Sequence, residues 1–159
     1  GDMSFDCFVE QGAVYFRIGG VRPGVELRSG TVNHHVSPVS AVSEVRRWVV
    51  AWLRDMVRFG SLVMEGRDIG TAVFPDTPWK FYLDADPRER ARRRHAEMAQ
   101  GAAGGSVAAV GHSLQRRDRI DSSRKADPLK AASDALVIDS TNMTIDQVVD
   151  FIVDETLRS

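Results

Sequence analysis

Short apolar runs that alternate with helical segments constrain the fold of this chain most strongly. The runs lie at 61–64, 79–83 and 135–138, each too short for a typical helix and too apolar for an exposed loop. Segments with helix-start signals separate them, opening at Asp86-Pro87 and at Ser106. Strands that alternate with helices predict an α/β layer in which the strands form a buried parallel sheet with helices on both faces.

The N-terminal third of the chain follows a different pattern. Residues 5–18 read as two short strands around a turn at Gln11-Gly12, which predicts a β-hairpin in a small side lobe. A helix is predicted from Ser43 to about Phe59, and a final amphipathic helix from Thr144. The pair His34-His35 is assigned to a short polar connection and not to a metal site, because no cysteine or third histidine stands near.

Length, charge and cysteine content narrow the function classes. The 159 residues suit one domain, and a net charge of −1 gives no general attraction to nucleic acid or membranes. No run approaches the roughly 18 apolar residues that span a bilayer, and no secretory signal is found. The single cysteine, Cys7, favours a reducing, cytoplasmic compartment, and its apolar neighbours predict a small core residue and not a nucleophile.

A polar segment follows the first apolar run of the α/β part. Glu65, Arg67 and Asp68 surround a glycine at the end of the predicted strand 61–64, where open α/β sheets bind ligands. A carboxylate there can accept a hydrogen bond from an amino group, and Arg67 can bind a phosphate through two parallel hydrogen bonds. A solvated turn with a surface ion pair fits these residues equally well.

Two arginine clusters lie farther along the chain. In residues 116–124, Arg117, Asp121 and Arg124 share one helix face and could grip a phosphate and a sugar hydroxyl, although a solvated, salt-bridged helix is also possible. Residues 88–95 carry five arginines without interleaved aromatics, which favours a nucleotide clamp or a plain surface over a nucleic-acid site. Arginines without a covalent nucleophile suit phosphoryl transfer, which depends on positioning and charge neutralisation.

Three motifs in register resemble the bacterial cytidylate kinase family. Residues 65–76, Glu-Gly-Arg-Asp-Ile-Gly-Thr-Ala-Val-Phe-Pro-Asp, are similar to its central signature. The pattern Arg117-Asp118-x-x-Asp121-x-x-Arg124-x-x-x-Pro128-Leu129 resembles its lid motif, and residues 134–141 resemble its last strand. The resemblance covers about residues 26–157 and implies a nucleoside-monophosphate-kinase fold that transfers phosphate from ATP to CMP or dCMP, giving CDP or dCDP, with Mg²⁺ as cofactor.

The resemblance implies a role for each matching residue. Ser37, Arg46 and Asp68 match positions that recognise cytosine, and Glu65 stands at the strand end where the family often has Asp. A carboxylate that reads the amino group of cytosine would be left without a donor by uracil.

The phosphate and lid positions also match. Arg67 and Arg117 correspond to residues that hold the acceptor phosphate, Arg124 to a lid arginine that closes on it, and Asp121 to a residue near the ribose. The catalytic set implied by the resemblance is Arg67, Asp68, Arg117 and Arg124. The residues that frame the lid and the ATP base are Arg90, Arg93 and Arg94.

The family pattern also divides the chain. Residues 1–45 correspond to part of a monophosphate-binding insert and residues 46–159 to the core, with an arginine-rich lid at about 95–128. Residues 101–105 could supply a hinge for the lid, whose closure would exclude water from the reaction.

One part of the family pattern is not found in these residues. The family begins with a strand and a G-x-x-x-x-G-K-[ST] loop that cradles the phosphates of ATP, and the 159 residues contain no such motif. Three origins are open: a reading frame begun at an internal methionine, Met3; a separate upstream chain; or a protein without kinase activity. The alternative function is therefore a cytidine-nucleotide-binding fragment, and we expect a partner chain, a segment swap or low stability alone.

Overall fold

The computed structural model describes residues 4–99, 106–124 and 127–158; the predicted hinge at 101–105 lies outside them. The strands are β1 (Phe5–Glu10), β2 (Ala13–Ile18), β3 (Phe81–Asp84) and β4 (Leu136–Asp139). The helices are α1 (Gly30–Ser40), α2 (Ser43–Asp55), α3 (Pro87–Ala99), α4 (Val107–Ser122) and α5 (Ile145–Leu157). Short 3₁₀ turns occupy Val25–Arg28 and Met56–Phe59, and a π-helical turn occupies Ile69–Val73.

The predicted N-terminal hairpin is confirmed. Strands β1 and β2 pair antiparallel, with Phe5 opposite Ile18 and Glu10 opposite Ala13. The two residues of the connecting turn, Gln11 and Gly12, have φ angles of 51° and 77°. A two-residue turn with both φ angles positive matches the right-handed twist of paired strands and brings them into register.

An aromatic cluster attaches the hairpin to α2. The Phe5 ring centroid lies 4.6 Å from that of Trp52 and 5.6 Å from that of Trp48, both in edge-to-face geometry. Phe16 lies 6.3 Å from Trp52, also edge-to-face. Trp48 and Trp52 are one helical turn apart and stack in parallel, so that α2 presents one continuous aromatic face to the hairpin.

The parallel sheet contains β3 and β4, as predicted from the second and third apolar runs. Phe81 pairs with Leu136 and Asp84 with Asp139. Beyond the last pair, the Ser140 hydroxyl donates to the Asp84 carbonyl at 2.9 Å. The molecule is thus a mixed α/β protein with a small parallel sheet and flanking helices, as the alternating pattern predicted.

Helix α3 is tied to the loop after β4 through Arg93. Its Nη2 donates to the Ser140 carbonyl at 2.6 Å, its Nη1 to the Ser140 hydroxyl at 3.1 Å, and its Nε to Glu89 at 2.8 Å. Hydrogen bonds from Arg92 and Arg93 hold the pKa of the Glu89 carboxyl at about 2. One carboxylate therefore orients the arginine that joins α3 to the sheet.

The first apolar run is not a strand, and the prediction of a buried strand at 61–64 is wrong. The segment has no strand assignment, and the Val63 side chain is fully exposed. A strand requires a neighbour to satisfy its backbone hydrogen bonds. In the described ranges the parallel sheet contains only β3 and β4, and neither pairs with this segment.

The prediction of a polar connection around His34-His35 is also wrong, because both residues lie within α1. Ser29 caps this helix: its hydroxyl accepts a hydrogen bond from the Val32 N–H at 3.3 Å. Val32, Val36 and Val39 form an apolar stripe along α1 that interspersed polar residues and a proline obscured in the sequence.

Cys7 lies in β1 and is only partly buried, so its predicted place in the core is not confirmed. Burial raises the pKa of the thiol, which keeps more of it protonated and less nucleophilic at neutral pH. In the part of the chain that the structure describes, no helix has both the length and the apolarity needed to cross a bilayer.

Replacing Trp52 with Ala should lower the free energy of unfolding by about 2 kcal/mol, because the half-buried ring touches both hairpin strands. Chemical denaturation followed by circular dichroism measures the change. The matched control is Trp79→Ala, whose ring has no aromatic contact among the described residues. Equal losses in both variants would contradict the proposed attachment of the hairpin.

The lowered pKa of Glu89 predicts an acid-dependent contribution to stability. Its folded pKa of about 2 lies below the ordinary glutamate value of 4.5, so the stabilisation is present above pH 4.5 and is lost as the pH falls toward 2. The difference in unfolding free energy between the parent chain and Glu89→Gln should therefore shrink over that range. Glu44→Gln, at an exposed pair with Arg47, is the control; a pH-independent difference for Glu89→Gln would contradict the prediction.

Candidate functional site

A cavity of about 530 Å³ lies between α1, α2, the turn that follows residue 64, and α4. Seven of the lining residues are apolar: Val32, Val36, Val39, Val45, Val49, Val50 and Leu53. The other lining residues, here called the polar wall, are His35, Ser40, Arg46, Gly66, Arg67, Asp68, Arg117, Asp121 and Arg124. The volume and the combination of apolar and polar lining residues are typical of small-molecule sites.

The turn that carries Arg67 and Asp68 is shaped by its neighbours. A Cβ atom on Gly66 would lie 2.8 Å from Cγ1 of Ile69, so any larger residue at this position would force the Ile69 side chain to move. The Asp68 carbonyl accepts from the Ala72 N–H at 2.8 Å and begins the π-helical turn. At the other end, Arg54 Nε donates to the Val73 carbonyl at 2.8 Å and ties the turn to α2.

Lys80 supports this turn from the sheet side. Its side chain is almost fully buried, and its ammonium group contacts both the Pro75 carbonyl and the Asp134 carboxylate at 2.5 Å. The hydrogen bond from Lys80 lowers the pKa of the Asp134 carboxyl. A Cβ atom on Gly70 would lie 3.3 Å from Cδ of Lys80, so the turn lies close to the start of β3.

Arg46 is buried in α2 between two carboxylates. Its Nη2 contacts Asp68, and its Nε donates to Asp127 at 3.0 Å, while its side chain is only 8% exposed. Burial alone would lower the pKa of the guanidinium, but the hydrogen bonds to Asp68 and Asp127 outweigh it and raise the pKa. Arg46 is therefore a fixed cation in the lining of the cavity.

Three arginines converge on Asp121, which is 2% exposed. Its Oδ2 lies 2.5 Å from Arg67 Nε and 3.7 Å from Arg117 Nε, and its Oδ1 lies 3.6 Å from Arg124 Nη1. The contacts are close, but Arg67 Nε, Arg117 Nε and Arg124 Nη2 are buried without an aligned hydrogen-bond acceptor. Asp121 Oδ2 is likewise buried without an aligned donor, so these ion pairs are poorly aligned, and an anion in the cavity could accept from the three guanidinium groups.

Asp118 extends this cluster toward α3. It contacts Arg67 with one oxygen and Arg90 Nη1 with the other, the latter at 2.6 Å. The cluster thus contains four guanidinium groups and two carboxylates, which leaves two positive charges in excess. The guanidinium groups are those of Arg67, Arg90, Arg117 and Arg124, and the carboxylates are those of Asp118 and Asp121. Burial, followed by the nearby charge of Arg67, lowers the pKa of Arg117.

The structure brings most of the residues expected to bind substrate to one cavity and leaves others outside it. The cavity-lining members are Arg46, Arg67, Asp68, Arg117, Asp121 and Arg124. Ser37 is buried on α1 but does not line the cavity, and Glu65 is exposed at the turn. Arg90 adjoins the cluster through Asp118, whereas Arg93 bonds the loop after β4 and Arg94 pairs with Glu97 at 2.9 Å.

Sequence reasoning missed four polar residues at or beside this cavity. One of them, His35, was assigned to a polar connection without a site role. Asp118 lay within the lid motif, and its alternation with arginines was the signal for internal pairing. Ser40 accepts from Arg124 Nη1 at 3.4 Å, but it lies on α1, which was not predicted as a helix. Asp127 bonds Arg46 across a separation of 81 residues, and no sequence spacing indicates such a contact.

A family model described as cytidylate kinase matches residues 4–158. The chain belongs to the cytidylate kinase family. The family membership expected from the three sequence motifs is thereby confirmed.

Curated relatives support the same assignment. The cytidylate kinase of Limosilactobacillus fermentum is 43% identical over 136 residues, covering 83% of this chain and 60% of the relative. That of Chlorobaculum tepidum is 44% identical over 131 residues, covering 80% and 56%. That of Mycolicibacterium paratuberculosis is 42% identical over 153 residues, covering 96% and 66%. The chain thus spans between 56% and 66% of the length of these relatives.

Replacing Asp121 with Asn should lower the free energy of unfolding by about 3 kcal/mol, because it removes the buried charge that holds Arg67, Arg117 and Arg124 together. Added inorganic phosphate should stabilise this variant more than the parent chain, since the anion can replace the lost charge. Denaturant titrations with and without phosphate measure both effects.

Asp55→Asn is the matched control for Asp121→Asn, since it neutralises an exposed aspartate paired with Arg58 and should cost less than about 1 kcal/mol. If the two variants lose equal stability and respond equally to phosphate, Asp121 does not have the central electrostatic role assigned to it.

Proposed function

We propose that this chain binds CMP or dCMP in the cavity between α1, α2 and α4 and that it acts in phosphoryl transfer from ATP, yielding CDP or dCDP. The observation that carries the proposal is the excess of two positive charges around Asp118 and Asp121, on the polar wall of a 530 Å³ cavity. A nucleoside monophosphate offers the matching group, because its terminal phosphate carries between one and two negative charges at neutral pH.

The acceptor phosphate would lie against Arg67, Arg117 and Arg124. These three residues approach Asp121 from two elements, the turn after residue 64 and the end of α4, so a phosphate among them would join both elements. Their buried N–H groups without aligned acceptors provide the hydrogen-bond donors. Charge neutralisation by arginines lets an anionic phosphate approach a second anionic phosphate, which is the main demand of this chemistry.

The base would lie against Arg46 and Asp68. Arg46 can donate to the carbonyl oxygen and ring nitrogen of cytosine, and Asp68 can accept from its exocyclic amino group. Uracil presents a carbonyl oxygen in place of the amino group, opposite the Asp68 carboxylate, and this repulsion would disfavour UMP. Ser37 and Glu65, which the family resemblance also implicates, stay within the proposal as a base contact and a support of the site.

The proposal keeps the division of the chain into a monophosphate-binding part at 1–45, a core at 46–159 and a lid at about 95–128. Helix α1 belongs to the first part and helix α4 to the lid, and Arg124 joins them through Ser40. Closure of α4 over the nucleotide would exclude water, so that the phosphoryl group reaches the nucleotide and not water.

ATP and Mg²⁺ follow from the family and not from a site among the described residues. In the ranges that the structure describes, no group of three or more His, Cys, Asp and Glu side chains could hold a metal ion. Arg93 bonds the loop after β4, and Arg94 forms an exposed pair with Glu97. The proposal keeps both, with Arg90, as residues that frame the lid and the ATP base. ATP would supply the transferred phosphoryl group, and the residues of this chain would bind and orient its acceptor.

Calorimetric titration with CMP, dCMP, UMP and AMP tests the binding part of the proposal. CMP should bind at least about tenfold more tightly than UMP, because one charge-assisted hydrogen bond distinguishes them. Arg67→Gln should weaken CMP binding by roughly tenfold or more, whereas Arg58→Gln, at an exposed pair, should not change it. Equal affinities for the four nucleotides, or no binding, would contradict the proposal.

A turnover assay with CMP, ATP and Mg²⁺ separates the two functions that the sequence left open. Formation of CDP by the chain alone would support the kinase. CMP binding without CDP would support the narrower function of a cytidine-nucleotide-binding fragment.

A further inference from the structure

A second carboxylate on Arg46 is not explained by the sequence motifs. Asp127 accepts from Arg46 Nε at 3.0 Å, while Asp68 contacts Nη2 of the same guanidinium. Asp127 lies on the segment that follows α4, and Asp68 on the turn after residue 64. The arginine that would read the base is therefore held from two sides, by two separate parts of the chain.

The backbone around Asp127 is built to deliver its side chain to Arg46. Its φ angle is 47°, in the left-handed region that aspartate and asparagine tolerate better than most residues. On one side Arg124 is anchored to Ser40 and to the Asp121 carbonyl, and on the other the Leu129 N–H donates to the Asp121 carbonyl at 2.9 Å. These contacts fix where the chain passes Arg46.

The geometry of a guanidinium group gives Asp127 a consequence for Asp68. A planar guanidinium has two edges that can pair bidentately with a carboxylate, and one of them consists of Nε and Nη2. Because Asp127 occupies Nε, Asp68 can use only Nη2 of that edge. Without Asp127, Nε and Nη2 of Arg46 could both donate to Asp68. This bidentate pair would use both oxygens of Asp68.

We infer that Asp127 is a specificity-determining positioning residue: by occupying Arg46 Nε, it leaves one oxygen of Asp68 free to accept from the amino group of a cytosine base. The inference rests on the proposed nucleotide site and assigns to it a residue that stands at an unspecified position of the lid motif. Asp127 does not line the cavity and acts on the base only through Arg46.

The burial of the three side chains agrees with this assignment. Arg46 is 8% exposed and Asp68 18%, so each needs a protein or ligand partner, whereas Asp127 is 39% exposed and can reach water on its outer side. An ion pair that served stability alone would need one carboxylate for one guanidinium. The second carboxylate, that of Asp127, keeps Arg46 and Asp68 from forming a bidentate pair that uses both oxygens of Asp68.

The test compares the preference for CMP over UMP in variants of the full 159-residue chain. Asp127→Gly removes the carboxylate without straining a positive φ angle, and Asp127→Asn removes its charge but keeps an oxygen acceptor and the backbone preference. Asp55→Asn, at the exposed Asp55–Arg58 pair, is the control. The dissociation constants for CMP and UMP are measured by calorimetry for each chain, and thermal unfolding reports the integrity of the fold.

Asp127→Gly should lower the ratio of the UMP and CMP dissociation constants by about tenfold, mainly through weaker CMP binding. Asp127→Asn should have a smaller effect in the same direction, and Asp55→Asn should leave the ratio unchanged. Loss of stability alone would weaken both nucleotides equally and would not move the ratio.

The outcomes distinguish this inference from the proposed function. If the parent chain prefers CMP and Asp127→Gly keeps the same ratio, the proposed site stands and the role of Asp127 is refuted. If the parent chain binds neither nucleotide, the proposed site fails and the inference fails with it. A reduced ratio in Asp127→Gly, with an unchanged ratio in Asp55→Asn, supports the assignment.

Discussion

The buried carboxylate of Asp121 is the contact on which the site depends. It brings together Arg67 from the turn after residue 64, and Arg117 and Arg124 from the end of α4, which would otherwise repel one another. It does not neutralise them fully, and several of their N–H groups remain buried without aligned acceptors. A protein that only needed to join these elements could use apolar contacts, and the incomplete neutralisation is the basis for the proposed anion site.

Contacts elsewhere in the fold hold the elements that surround the cavity. Lys80 and Arg54 fix the turn that carries Arg67 and Asp68, each by bonding backbone carbonyls of that segment. Arg93 ties α3 to the end of the sheet, and α3 packs against α4 where Gly111 faces Ala91. The aromatic cluster of Phe5, Trp48 and Trp52 attaches the hairpin to the helix that carries Arg46. Each of these contacts limits the motion of one wall of the cavity.

The sequence predicted the elements with strong local signals and failed where long-range contacts decide. The hairpin, the sheet strands β3 and β4, and the helices opened by Pro87, Ser106 and Thr144 follow from turn, capping and apolar patterns. The strand expected at 61–64 failed because pairing depends on a neighbour, which composition does not reveal. Helix α1 was missed because its apolar stripe is interrupted by polar residues and Pro38. Six of the residues that the motifs singled out line one cavity, but the contact of Asp127 with Arg46 could not be predicted.

The central claim is that one cavity holds the phosphate and the base of CMP at opposite ends of its polar wall. A crystal structure of the chain with CMP tests it most directly. The account predicts phosphate oxygens within hydrogen-bonding distance of Arg67, Arg117 and Arg124, and the cytosine amino group on Asp68. CMP bound elsewhere, or bound in this cavity without contacts to these arginines, would contradict it.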